Sequence, residues 1–169
     1  MSKSNPNISD LLLFFPAVDL PVTVSEESIV VIDKMNEVLP KHLIEHFIIP
    51  WEVGQMIDEY TEFVPCFQLP DSSEDYIAMV YWKGGLLKYE YLLVTIDKKT
   101  GKLITRRSIA GTIAEGDKIK KSVAMIDEDL IIHIMAGAGE AEQDYNPENS
   151  QAFSMEIMST GDVIFSLGE

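Results

Sequence analysis

The segment spanning residues 76–137 constrains the fold most, because short runs of alternating apolar and polar residues are separated there by turn residues. In an extended strand successive side chains point to opposite faces, so this alternation is typical of strands rather than helices. Strands joined by a few turn residues, with no helical crossover, pair antiparallel with their neighbours in sequence. The segment therefore predicts an antiparallel β-meander.

Turn residues set the limits of the predicted strands. Gly84-Gly85 predicts a tight hairpin with positive φ, and Gly101 suits the left-handed position of the following turn. Pro65 places a strand over residues 63–69 at a sheet edge, since proline cannot donate to a ladder. The other predicted strands cover residues 20–24, 76–83, 86–96, 103–110, 119–126, 130–135, 152–158 and 163–167.

The N-terminal part of the chain contains one segment with a clear helical pattern, residues 40–48. Pro40 suits the first helical position, and Leu43 and Phe47 share one face. Pro50 is expected to end this helix. Residues 11–18 and 29–32 fit either a strand or a helix, because apolar runs this short show no decisive period.

Together these patterns predict a mainly β protein. We expect an antiparallel meander of about seven to nine strands, folded as a twisted sheet or a partly closed barrel, with one short N-terminal helix. A β-sandwich is the alternative. The length of 169 residues favours a single domain over residues 1–169. Within it we expect residues 1–10 to be disordered and residues 137–151 to form a long polar loop.

The net charge of -15 restricts the partners of this chain. Nucleic acids and anionic membrane surfaces repel such a protein, whereas a basic protein, or a small anionic ligand at a local basic site, is allowed. Ten of the thirteen Lys and Arg residues lie within residues 83–121, and none follows Lys121. We therefore predict that the basic central strands pair with acidic residues of the flanking segments.

Two features indicate a cytoplasmic protein. Cys66 is the only cysteine, which excludes an internal disulfide framework. The apolar run at residues 11–15 is too short to span a bilayer, and no signal-peptide cleavage pattern follows it.

Two groups of residues in the meander are candidate contacts for a ligand or a partner. Aromatic pairs across a hairpin ordinarily stabilise a sheet, but they also form binding faces. Arg106 and Arg107 point to opposite faces, so one of them turns inward, where it needs a carboxylate or recognises an anionic ligand. The aromatic group consists of Tyr81, Trp82, Tyr89 and Tyr91.

A third candidate is a metal site on the predicted helix. His42-Leu43-Ile44-Glu45-His46 matches the H-x-x-E-H pattern, in which two imidazoles one helical turn apart share a zinc ion and the acid serves as general base. The same three polar residues also form the face opposite Leu43 and Phe47. A solvated helix face therefore explains the pattern without a metal.

The sequence favours a non-catalytic role. We expect an acidic interaction or ligand-binding module that uses the aromatic and basic face of the meander and requires no cofactor. One alternative is an acidic protein that neutralises or chaperones a basic partner. The other is a small zinc hydrolase acting through His42, Glu45 and His46.

Overall fold

The computed structural model describes residues 6–70, 73–140 and 151–166, and the side chains of residues 138–140 and 166 lie outside that description. The helices are short and lie before the long strands. They are α1 (Ile8–Leu12), α2 (Ser28–Met35), α3 (Lys41–Leu43), a π-helical turn (Ile44–Ile48) and α4 (Ile49–Trp51). The last three are continuous, and residues 41–51 are called the helical segment below.

Nine antiparallel strands of the described residues form one sheet. They are β1 (Val22–Val24), β2 (Glu62–Gln68), β3 (Tyr76–Gly84), β4 (Lys88–Asp97), β5 (Leu103–Glu115), β6 (Lys118–Ile126), β7 (Ile131–Glu140), β8 (Gln151–Ile157) and β9 (Val163–Ser166). Strands β2 to β9 pair in sequence order, and β1 joins β6 from the side. The predicted mainly β meander is confirmed, and within the described residues its sheet is not closed.

Strands β3 and β4 are buried on both faces, which makes them the centre of the molecule. On one face Met79 and Leu92 contact α1 and the helical segment through residues such as Leu11 and Ile48. We call this the helix-covered face. On the other face apolar residues of β2 to β5 join those of β6 to β9 in a second cluster, which includes Val80, Leu93, Ile132, Ile134 and Met155. We call this the strand-covered face.

Strands β2 to β5 can pack against strands β6 to β9 of the same sheet because β5 and β6 pair over only part of their length. Strand β5 pairs with β4 over nearly all of its length, but it pairs with β6 only from Gly111 to Glu115. Strand β1 takes the other end of β6, opposite residues 124–126. The chain after β1 also contacts the centre of the sheet, since the Tyr91 hydroxyl donates to the Ser25 carbonyl at 2.7 Å.

Strand β2 is an edge strand, as Pro65 predicts, and other parts of the chain cover it. The register shifts between Pro65 and Phe67, which is a bulge of the kind found at sheet edges. The Asn36 amide donates to the carbonyls of Pro65 and Cys66 at 2.8 and 2.9 Å. Gln68 exchanges backbone hydrogen bonds with Pro16 and Val18. These contacts occupy polar groups that would otherwise invite pairing with another chain.

The helices differ from the prediction of a single one. Residues 29–32 lie in α2, although β-branched residues disfavour helices. Helical geometry lets Ile29 and Ile32 pack on the strand-covered cluster while Val30 and Val31 face water, so packing decides the local structure. Similarly, the predicted disorder over residues 1–10 does not extend to 8–10, which lie in α1 after an Asn7 capping box.

The helical segment continues past Ile48, where the sequence predicts its end. Pro50 lies inside α4 rather than after the helix. A proline ring clashes with a carbonyl of an ideal preceding turn, and here the preceding turn is the wider π type, closed by the Ile49 N–H on the Ile44 carbonyl. The chain therefore stays helical as far as Trp51, which determines where the next residue, Glu52, is placed.

Two predictions about loops also need correction. Residues 137–140 extend β7 and residue 151 begins β8, while residues 141–150 of the predicted loop lie outside the described residues. Gly84 ends β3, and neither it nor Gly85 has positive φ. Gly84 instead leaves room for the Trp82 ring, since a Cβ there would lie 2.1 Å from that ring.

None of the helices in the described ranges 6–70, 73–140 and 151–166 is long and apolar enough to cross a membrane.

A substitution at Gly161 tests the close contact between the β8–β9 turn and the sheet. Its φ is +93°, and an added Cβ would lie 2.7 Å from Ile104 Cδ1 and 3.1 Å from Tyr76 Cβ. We expect Gly161→Ala to lower the free energy of unfolding by about 2–5 kcal/mol, from left-handed strain together with overpacking. Gly101→Ala is the matched control, because Gly101 has φ +72° and open space around it; it should cost only about 1–2 kcal/mol. Equal losses in urea denaturation would contradict the close packing at Gly161.

Candidate functional site

The four candidate aromatic residues are divided between the two faces of the sheet. Trp82 and Tyr89 stack with ring centroids 5.7 Å apart, beside Tyr91 on the strand-covered face. Tyr91 is buried, whereas Tyr89 is 41% exposed. Tyr81 points to the helix-covered face and is fully buried there. The structure therefore brings together Trp82, Tyr89 and Tyr91, without Tyr81.

The two arginines are divided in the same way. Arg107 lies on the strand-covered side, where its guanidinium donates to the Val163 carbonyl at 3.3 Å and its Cζ lies 5.8 Å from the Phe165 ring centroid. Arg106 points to the helix-covered face, and its Nε donates to Glu52 Oε2 at 2.6 Å. The prediction that an inward arginine pairs with a carboxylate of an acidic flank is confirmed for Arg106.

Glu52 is the centre of a buried ionic cluster. Its side chain is 0% exposed, although it is ionisable. Oε2 accepts from both the Tyr81 hydroxyl and the Arg106 Nε at 2.6 Å. The Lys83 ammonium lies 2.7 Å from Oε1, in an ion pair rather than an aligned hydrogen bond. A carboxylate this deeply buried is stable only with such partners, because the loss of hydration costs on the order of several kcal/mol per ion.

Glu90 is a second buried carboxylate, and its partners are more distant. Its side chain is 7% exposed. Oε1 lies 3.9 Å from Arg106 Nη2, and Oε2 lies 3.7 Å from the half-exposed Lys88 ammonium. Neither distance is that of a hydrogen bond. Arg106 Nη2 is itself buried, and it has no hydrogen-bond partner among the residues that the structure describes. On its Glu90 side the cluster therefore has hydrogen-bond donors and acceptors that its own ion pairs do not use.

The local structure explains how these groups converge. Glu52 is placed by the end of the helical segment, where its N–H donates to the carbonyls of Ile48 and Ile49. Lys83 and Glu90 are direct partners across the β3–β4 ladder, so both point to the helix-covered face. Gly111 lies opposite Glu90 in β5, and a Cβ at Gly111 would lie 2.3 Å from the Tyr89 carbonyl oxygen. The missing side chain lets β5 approach Glu90 closely.

Electrostatics keep the cluster charged. Burial alone would raise the pKa of Glu52, but Arg106, Lys83 and Tyr81 together lower it below its ordinary value. Burial raises the pKa of Tyr81, and the adjacent Glu52 carboxylate raises it further. Burial opposes the charge of Arg106, yet Glu52 holds the pKa of the guanidinium above its ordinary value. At neutral pH Glu52 is therefore ionised and Tyr81 is a hydroxyl donor.

A pocket of about 290 Å³ lies between residues 55–61 and the β3–β4 hairpin, against this cluster. Its wall includes Met56, Leu86 and Leu87, which are 82%, 66% and 68% exposed. Its polar lining is Gln55, Asp58, Thr61, Lys83, Lys88 and Glu90. Exposed apolar side chains that converge beside buried charge are the usual features of a small-molecule site.

The candidate metal residues lie on the surface. His42, Glu45 and His46 are exposed, and Glu45 pairs weakly with Lys41 at 3.7 Å. His46 lies in the π-helical turn, so it does not continue the regular α spacing from His42. The described part of the chain holds no group of three or more His, Cys, Asp and Glu placed to bind a metal ion.

Sequence reasoning identified Arg106 and Tyr81 but missed Glu52, Lys83, Lys88 and Glu90. Glu52 is separated from Arg106 by fifty-four positions, so no local pattern connects them. A weak signal existed for Glu90, because alternation from Leu92 and Val94 places it on the same face as those apolar residues. A charge on the apolar face of a strand indicates a buried partner.

Comparison with protein-family models, with curated proteins and with solved structures gave no match to this chain. Its function therefore has to be inferred from the geometry and chemistry of the site.

The Glu52→Gln variant tests how much the buried ionic cluster contributes to stability. At neutral pH we expect it to lower the free energy of unfolding by about 3–5 kcal/mol, because Arg106 and Lys83 stay buried and lose the carboxylate that lies nearest to both of them. The folded-state pKa of Glu52 is below its ordinary value of 4.5. The stability of the wild type relative to Glu52→Gln is therefore at its full value above pH 4.5, and this difference is lost as the pH falls through the lowered pKa. Urea denaturation across this range measures both effects.

The matched control is Glu45→Gln, which removes an exposed carboxylate whose ion pair spans 3.7 Å. It should change the free energy of unfolding by no more than about 0.5 kcal/mol. If Glu52→Gln costs as little as this control, Glu52 does not carry the role assigned to it.

Proposed function

We propose that this chain is a non-catalytic ligand-binding module whose site is the pocket between residues 55–61 and the β3–β4 hairpin. One observation carries the proposal: Met56, Leu86 and Leu87 line the same pocket as Lys83 and Glu90. Apolar side chains are left in water at a cost, and a grouped set of them beside polar anchors favours a bound molecule.

The state of the charged groups favours binding over chemistry. Glu52 has a lowered pKa and accepts two short hydrogen bonds, so it is a weak base. Lys83 is ion-paired with Glu52 at 2.7 Å. Cys66 is buried, and burial raises the pKa of its thiol, which leaves it unreactive at neutral pH. These groups hold a fixed geometry, and fixed geometry favours selective binding.

A second candidate is the neutralisation or chaperoning of a basic partner, which the net charge of -15 supports. Basic residues of the central strands pair with acids of the N-terminal flank, in Lys83–Glu52, Arg106–Glu52 and Lys121–Glu26. Pairing uses those cations internally and leaves an excess of acidic groups. A complex formed through such charges would weaken with salt, whereas an apolar pocket ligand would not.

The position of the site can be tested with two variants of neighbouring residues. A fragment library is screened by NMR, with hits located from the methyl signals of Met56, Leu86 and Leu87. We expect Leu87→Asp to abolish binding at the pocket, because it places a charge on the apolar wall. Leu87 is 68% exposed, so the variant should fold.

The matched control is Tyr89→Ala, which lies on the opposite face of the same hairpin and stacks on Trp82. It should leave binding unchanged. If Tyr89→Ala removes binding and Leu87→Asp does not, the site is instead the aromatic face formed by Trp82, Tyr89 and Tyr91.

A further inference from the structure

We infer that the ligand of this pocket is a small amphipathic anion, an aliphatic carboxylate, with its head between Lys83 and Lys88 and its tail on Leu86, Leu87 and Met56. This inference rests on the proposed function, since it assigns the chemistry of the ligand at the same site.

The apolar half of the ligand follows from the wall of the pocket. Met56 belongs to the chain after the helical segment, whereas Leu86 and Leu87 belong to the β3–β4 turn, so the apolar wall has two sides. A saturated tail placed between them removes apolar surface from water on both sides, which is favourable in proportion to the area buried.

The charge of the head follows from the balance of the cluster. Lys83, Lys88 and Arg106 contribute three positive charges, and Glu52 and Glu90 contribute two negative charges, which leaves one excess positive charge. The buried groups balance one another, because the Lys83, Arg106, Glu52 and Glu90 side chains are only 12%, 15%, 0% and 7% exposed. The excess charge is therefore that of Lys88, whose side chain is 52% exposed and lines the pocket. One ligand carboxylate would balance it.

Asp58 lines the same pocket but does not balance this excess. It is exposed to water, and its Oδ1 accepts from the Tyr60 N–H and the Thr61 hydroxyl at 2.8 and 3.3 Å. Its carboxylate is therefore hydrated and hydrogen-bonded within its own turn.

The hydrogen-bonding capacity of the cluster agrees with the charge count. Lys88 lies 3.7 Å from Glu90, too far for a hydrogen bond, and is half exposed, so its ammonium has donors to spare. Lys83 has three donors and contacts one carboxylate oxygen at 2.7 Å. A carboxylate between them accepts charge-assisted hydrogen bonds, which are about twice as strong as neutral ones.

The size of the pocket limits the tail. A volume of about 290 Å³ is near the lower end for small-molecule sites, which suits a short chain rather than a long-chain lipid.

Three probes with one tail and different heads test the inference: hexanoate, hexanol and hexylamine, each titrated at neutral pH into protein with labelled methyl groups. We expect hexanoate to shift the methyl signals of Leu86, Leu87 and Met56 and to bind about tenfold more tightly than hexanol, with hexylamine weakest. Lys88→Met should remove about that tenfold preference and leave hexanol affinity unchanged. Lys102→Met, at an exposed position just before β5, is the control and should change neither.

The contrary results separate failure of the inference from failure of the proposed function. If hexylamine binds as tightly as hexanoate, or hexanol does, the anionic head is wrong, and the pocket still binds ligands. If hexanoate shifts none of these signals while a library fragment does, the carboxylate is again wrong and the proposed function stands. If neither hexanoate nor any fragment binds at the pocket, both the inference and the proposed function fail.

Discussion

The Glu52 carboxylate fixes the helical segment to the sheet. Its oxygens contact Tyr81 and Lys83 of β3 and Arg106 of β5, so one side chain joins three elements that are distant in sequence. The surrounding cluster on this face is apolar, and apolar contacts are non-directional. The ionic contacts supply direction, because a buried charge is tolerated only where its partners are placed.

The position of the pocket depends on this arrangement. Residues 55–61 follow shortly after Glu52, and the β3–β4 turn follows shortly after Lys83. The two sides of the pocket are therefore attached to the two residues of one ion pair. Moving Glu52 would move the wall that carries Met56 relative to the wall that carries Leu86 and Leu87. A buried ionic group thus sets the geometry of the pocket as well as contributing to stability.

The strands could be predicted from sequence and the site largely could not. Period-two alternation and turn residues act locally, so the order of the meander, the edge position of β2 and the positive φ of Gly101 (72°) are readable. The inward pairing of Arg106 is also readable from alternation. Its partner is not, because Glu52 reaches it through the fold of the helical segment, which Pro50 was expected to end. The α2 helix is likewise decided by packing of Ile29 and Ile32.

A double-mutant cycle between Glu52 and Arg106 tests the central claim most directly. The free energy of unfolding is measured at neutral pH for the wild type, Glu52→Gln, Arg106→Met and the double variant. Each single variant leaves a buried charge with fewer partners, so the double variant should be less destabilised than the sum of the singles by about 2 kcal/mol or more. Additivity within about 0.5 kcal/mol would mean that the two residues are not energetically coupled and would contradict this account.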